Sequence, residues 1–92
     1  AAVALRPEFL DLSFRVARLR LAEGDAAGAR RGLEAILVAR TGYQAARASL
    51  GMACYMMGDH AAARQVWNEC RELAPDDPKI GAYLSLLERV GA

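Results

Sequence analysis

Cys54, Cys70 and His60 are the side chains of this sequence best suited to chemistry, with the carboxylates Asp59, Asp76 and Asp77 nearby in the chain. A Ser or Cys nucleophile needs a base to take its proton, and the 92 residues hold a single histidine. His60 falls at the start of a helix beside Asp59, where a residue packing on an inter-helix turn is expected rather than a catalytic base. The two cysteines stand sixteen residues apart with no second pair, so the spacing of a zinc site is missing. They read as inert, small apolar residues, with a Cys54–Cys70 disulfide as the minor alternative. Asp76 and Asp77 lie between two prolines in a capping turn. Gly24, Gly28 and Gly32 recur every four residues in or beside a helix, which does not make a phosphate-binding loop. No catalytic residue, metal site or cofactor is expected, and the chain does not read as an enzyme.

The elements that hold these residues are built from small side chains. The hydrophobic fraction is 54%, but twenty of those residues are alanine, and there are only two Phe, one Trp and three Tyr. A core must therefore come from many small contacts. Twelve basic residues nearly cancel eleven acidic ones, which argues against a nucleic-acid partner, since that grip needs a clustered basic field. Eleven of the twelve bases are Arg. With the Ala excess this reads as the coding bias of a GC-rich, bacterial genome. No apolar run approaches the length of a membrane span. Two cysteines do not fix the compartment, and a cytoplasmic one is favoured.

Strand signals are poor, whereas helix starts and stops recur. Pro7 and Glu8 open a segment that runs to Glu23. Gly24 suits a left-handed C-terminal cap, and Asp25 suits the N-cap of a helix from about Ala26 to Ala39. A third helix is expected from Tyr43 to Met57. Gly58 and Asp59 repeat the stop-and-start device before a fourth from His60 to Leu73. Asp77 and Pro78 suit the N-cap and first position of a fifth, ending near Val90. Turns of two to four residues imply antiparallel neighbours.

A shift of 34 residues lays the chain on itself. Gly24 meets Gly58, Asp25 meets Asp59, Ala29 meets Ala63, Leu33 meets Trp67 and Ile36 meets Cys70. Pro7, Thr41 and Pro75 stand at successive steps, all of them turn formers. This period, with one helix–turn–helix per unit, resembles the tetratricopeptide repeat family. The family pattern W-x2-L-G-x2-Y…A-x3-F…P is met in the second unit by Arg47, Leu50, Gly51, Cys54, Ala63, Trp67 and Pro75. Leu50, Gly51, Ala63 and Pro75 are identical to it and Trp67 exchanges one aromatic ring for another, while Arg47 and Cys54 depart from it. The first unit reads Ser13, Val16, Ala17, Arg20, Ala29, Leu33 and Thr41, a weaker match that keeps the small residues. The resemblance implies an all-α, right-handed solenoid of five antiparallel helices. Gly51 and Ala63 would let two helices approach closely, and Trp67 would fill the space one turn on, against Leu50 and Cys54.

On this register residues 1–9 are the end of a preceding repeat, 10–43 and 44–77 are complete repeats, and 78–92 are the first helix of a third or a capping helix. The sequence thus reads as a piece of a longer array whose end faces are apolar, because each unit buries its surface only against its neighbours.

In this family the first helices of successive units line the concave side. The period places Asp11, Ala45 and Lys79 in one row, then Phe14, Ala48 and Ala82, then Arg18, Met52 and Leu86, then Leu21, Tyr55 and Arg89. The expected partner-binding face is Phe14, Arg18, Leu21, Met52, Tyr55, Lys79, Leu86 and Arg89. Its chemistry suits a protein or peptide segment that is apolar and slightly acidic, since Met is adaptable, Tyr is amphipathic and Arg18, Lys79 and Arg89 rim the patch. The Lys- and Asn-rich clamp that some family members close on a C-terminal carboxylate is not expected, because Phe14, Arg18, Ser49 and Met52 occupy those faces. The alternative function is structural, a homo-oligomer formed by stacking of open repeat ends.

Overall fold

The computed structural model describes the backbone of residues 7–91 and the side chains of residues 9–89. Residues 1–6, where the end of a preceding repeat is expected, lie outside the described residues. The chain forms five helices: α1 (Pro7–Ala22), α2 (Ala26–Ala39), α3 (Gln44–Met56), α4 (His60–Leu73) and α5 (Pro78–Gly91). There is no strand among the described residues. Three boundaries differ from the sequence expectation by a residue, among them the end of α3, which stops at Met56 with Met57 as its C-cap. α1 ends at Ala22, because the turn that reverses the chain already begins at Glu23. Tyr43 is the N-cap of α3 rather than its first residue, at φ −76° and ψ 88°.

The two turns that share the Gly-Asp pair are built alike. Gly24 and Gly58 take φ of 87° and 85°, the left-handed region that costs a side chain with Cβ. The following N–H reaches back five residues in each case, Asp25 to the Arg20 carbonyl at 2.8 Å and Asp59 to the Cys54 carbonyl at 2.9 Å. The aspartate then turns to the next helix and accepts an N-terminal N–H: Gly28 donates to Asp25 Oδ1 at 2.9 Å and Ala62 to Asp59 Oδ1 at 3.2 Å. That Gly28 bond, with the Arg20 guanidinium 3.0 Å away, holds the Asp25 carboxyl below its ordinary range. Before α5, Asp77 Oδ1 accepts the Lys79 N–H at 3.0 Å.

Each helix packs on the next in sequence, and α1 also meets α3. Two cores result. The first joins Leu10 and Ala17 of α1, Ala29, Leu33 and Ile36 of α2, and Ala46 and Ala53 of α3. The second joins Cys54, Ala63, Trp67 and Cys70 with Ile80, Leu84 and Leu87 of α5. Leu50 of α3 packs against both. α3 and α4 approach closely at Gly51, where a Cβ would overlap the indole of Trp67. Arg47, standing where the family pattern has Trp, ties three elements together. Its guanidinium donates to the Thr41 carbonyl at 2.7 Å and to Glu69 of α4 at 3.3 Å.

Candidate functional site

The thiols and the histidine sit in packed surroundings. Cys54 and Cys70 are free and buried, and burial pushes both thiols above their ordinary pKa. A thiol so placed is a poor nucleophile, because the reactive form is the thiolate. His60 is the first residue of α4, with its ring 5.2 Å from that of Tyr55. No group of three or more His, Cys, Asp or Glu residues is placed to hold a metal ion among the described residues.

A groove of about 550 Å³ opens between α1, α3 and α5, with Cys70 of α4 and Asp77 of the turn before α5 also in its lining. Phe14, Arg18 and Leu21 of α1 form one wall, Ala48, Ser49 and Met52 of α3 the floor, and Lys79, Ile80 and Tyr83 of α5 the other wall. Aromatic packing positions both walls. The Phe14 ring lies 5.4 Å from Tyr43, whose hydroxyl donates to Asp11 Oδ1 at 2.8 Å and so pins the start of α3 to α1. Burial and this bond to an anion push the Tyr43 hydroxyl pKa up. Across the groove Tyr83 stacks on Trp67 at 5.0 Å and 25°. Trp67 in turn donates through Nε1 to the Ala48 carbonyl at 3.0 Å, so the floor and the α5 wall share one anchor. Arg18 lies over the Phe14 ring at 5.8 Å, and both it and Lys79 are exposed, neither in an ion pair among the described residues.

Five of the eight residues expected on the binding face line this groove: Phe14, Arg18, Leu21, Met52 and Lys79. Tyr55 does not. It shares a helical face with Met52 but falls in the last turn of α3, where the reversal at Gly58 brings α4 back over it. Its ring packs 6.0 Å from Trp67 and 5.2 Å from His60. Leu86, half-buried, and Arg89, exposed, also stand outside it, because Tyr83 is the last α5 residue on the wall. The groove takes in Gln44, Ser49, Cys70, Asp77, Ile80 and Tyr83, which the 34-residue rows did not select. Ser49 and Tyr83 are themselves 34 apart, in the row beside Ala48 and Ala82, so the signal was present one residue along.

A family model described as tetratricopeptide repeat matches residues 20–87. No curated protein and no solved structure matches the chain. Repeats of this kind are in general protein–protein interaction modules, typically noncatalytic scaffolds and not enzymes. No helix among the described residues is long and apolar enough to cross a membrane. The match spans most of the chain, the two Gly-Asp reversals and the Gly51–Trp67 contact, and with it the chain belongs to the tetratricopeptide repeat family.

Proposed function

We propose that the α1–α3–α5 groove is the concave face of a noncatalytic interaction module, and that it binds an apolar, slightly acidic segment of a partner protein. The observation that carries this reading is the pairing of apolar side chains (Phe14, Leu21, Met52 and Tyr83) with two edge cations, Arg18 and Lys79, that are in no ion pair among the described residues, while Asp77 is the one acidic residue of a lining that also holds Gln44 and Ser49. Met52 is half-buried and unbranched, so it can repack around an apolar anchor. The cations would favour a flanking Asp or Glu and act mostly on encounter and register. Tyr83 and Phe14 are held by Trp67 and Tyr43, so the face is set before a ligand arrives, which lowers the ordering cost of binding.

The test is peptide selection from a random display library on the full chain. Selected peptides are expected to combine apolar anchors with at least one carboxylate. They should lose about tenfold in affinity on Arg18→Glu combined with Lys79→Glu, mostly through slower association, because both edge charges then repel the carboxylate. The melting temperature of that double variant should stay close to that of the parent, because both side chains are exposed. Selected peptides that bind parent and variant equally would remove the groove from consideration.

A further inference from the structure

The two interfaces between successive units follow one plan and are filled differently. Between α1 and α3 the space is taken by Leu10 and Phe14 of α1, Ile36 of α2 and Tyr43 of the turn before α3. Leu10 and Ile36 are buried, and the Phe14 and Tyr43 rings pack against the same core with their centres 5.4 Å apart. Thirty-four residues on, these four positions are Gln44, Ala48, Cys70 and Asp77. Two rings and an isoleucine side chain have given way to a methyl, a carboxylate and a thiol. α5 carries larger residues than α3 does at two equivalent positions, Ile80 for Ala46 and Tyr83 for Ser49. Tyr83, however, is stacked on Trp67 at 5.0 Å, and the space is not refilled. The groove sinks here between α3 and α5 until Cys70 of α4, a residue only 1% exposed, is part of its lining.

This socket is bounded by Gln44, Ala48, Cys70, Asp77, Ile80 and Tyr83. One atom in it is at odds with its surroundings. The side-chain oxygen of Gln44 is closed to water and accepts no hydrogen bond among the described residues. An acceptor in that state is costly, because it has lost its hydration without gaining a partner. The socket therefore suits a flat apolar body that carries a donor at its far end. An aliphatic side chain or a phenylalanine leaves the oxygen unpartnered. A carboxylate is opposed by Asp77, and a Lys or Arg that gains from Asp77 is opposed by Lys79 two residues on. The first interface shows a form that fits: Tyr43 sets its ring beside Phe14 and donates its hydroxyl to Asp11 of α1 at 2.8 Å.

We infer that the socket is the anchor site for a tyrosine of the partner segment. Its ring takes the place that Phe14 and Tyr43 fill one repeat earlier, and its hydroxyl donates to Gln44 Oε1. The last torsion of a glutamine side chain is broad, so the oxygen turns to meet a donor arriving from the groove. The acidic residue of the segment then falls to Arg18 on the opposite wall. The choice of a protein segment as occupant rests on the function proposed above.

Titration of the full chain with p-cresol, the side-chain analogue of tyrosine, tests the socket without any peptide. The amide resonances of Ala48 and Cys70 and the indole N–H of Trp67 should shift. Toluene, which lacks the donor, should bind about five- to tenfold more weakly, the usual effect of one buried hydrogen bond. Gln44→Met should abolish that difference and leave the melting temperature at or above that of the parent, since the unpartnered acceptor is gone. Ala48→Phe, which restores the residue of the first interface, should block p-cresol; Gln44→Met carries the test should that variant not fold. Peptides selected on the groove should share one tyrosine. Its exchange for phenylalanine should bring the same loss on the parent and none on Gln44→Met. Absence of shifts with p-cresol overturns the inference, as does toluene binding equally well or a difference that survives Gln44→Met. Groove peptides that are weakened by Arg18→Glu with Lys79→Glu but show no preference for tyrosine overturn it too, and leave the proposed function standing. If p-cresol seats in the socket while selected peptides are indifferent to the groove, it is the proposed function that falls.

Discussion

At the residue scale one side chain does three jobs. Trp67 is fully buried, presses on Gly51, donates to the Ala48 carbonyl and stacks on Tyr83. Trp67→Ala should therefore cost about 3–5 kcal/mol, the range for deleting a buried ring. Gly51→Ala should cost about 1–3 kcal/mol, because the added Cβ has to displace the indole. Chemical denaturation checks both, and Trp67 emission should be that of a dry indole in the parent and shift to the red only on unfolding. The polar side chains give a pH prediction. Burial raises Cys54 and Cys70 above the ordinary 9.0, and burial with the Asp11 bond raises Tyr43 above 10.0. Between the unfolded and folded values the folded state holds more protons, so stability is fully present below pH 9.0 and falls as pH rises above it. Thermal melts from pH 7 to 11 should show this alkaline decline, and both thiols should resist alkylation until the chain unfolds.

At the scale of elements the same reversal is used twice, and its two parts make separate contributions. Glycine supplies the positive φ and aspartate supplies the cap. Gly58→Ala should cost about 1–2 kcal/mol from the left-handed backbone alone, since nothing lies within 4 Å of the added Cβ. Gly24→Ala should behave alike for the same reason. A cost much below this range in urea titrations would mean that the turn relaxes to another conformation. The turn before α5 uses no such glycine. There Pro75 and Pro78 stop one helix and start the next, and Asp77 caps.

At the scale of the molecule the contacts are one-dimensional. The described helices each touch their sequence neighbours, the long dimension is 44 Å against 17 Å for the shortest, and α3 alone contributes to both cores. Stability in such a stack follows nearest-neighbour interfaces rather than a single centre. Hydrogen exchange should find the slowest amides in α3 and α4, with α1 and α5 opening earlier. Trp67→Ala should strip protection from α3, α4 and α5 while leaving the α1–α2 interface closer to its parent value. Uniform loss across all five helices would indicate a single cooperative core instead.

What the sequence determined by itself was everything that depends on local chemistry and on the period. Gly24-Asp25, Gly58-Asp59 and Asp77-Pro78 set the helix boundaries to within a residue, because caps act over one turn. The resemblance to the repeat family, found through the 34-residue shift, implied that Gly51 and Ala63 let two helices approach closely beside Trp67, and the structure sets the indole against Gly51. The identities of Phe14, Arg18, Leu21, Met52 and Lys79 as groove residues followed from the same register. The tertiary structure decided the rest. Tyr55 and Met52 occupy one helical face, and only the return of α4 over the last turn of α3 sends one into the groove and the other onto Trp67 and His60. Tyr83 stands in the 34-residue row beside Ala82, but what fixes its ring in the groove wall is stacking on an indole sixteen residues away, a contact no helical spacing encodes. Leu12 and Leu19 read from sequence like any apolar helix face. That they are exposed among the described residues while Ala46, Ala53, Ile80 and Leu87 are covered depends on which helix lies beside them, and that is a property of packing.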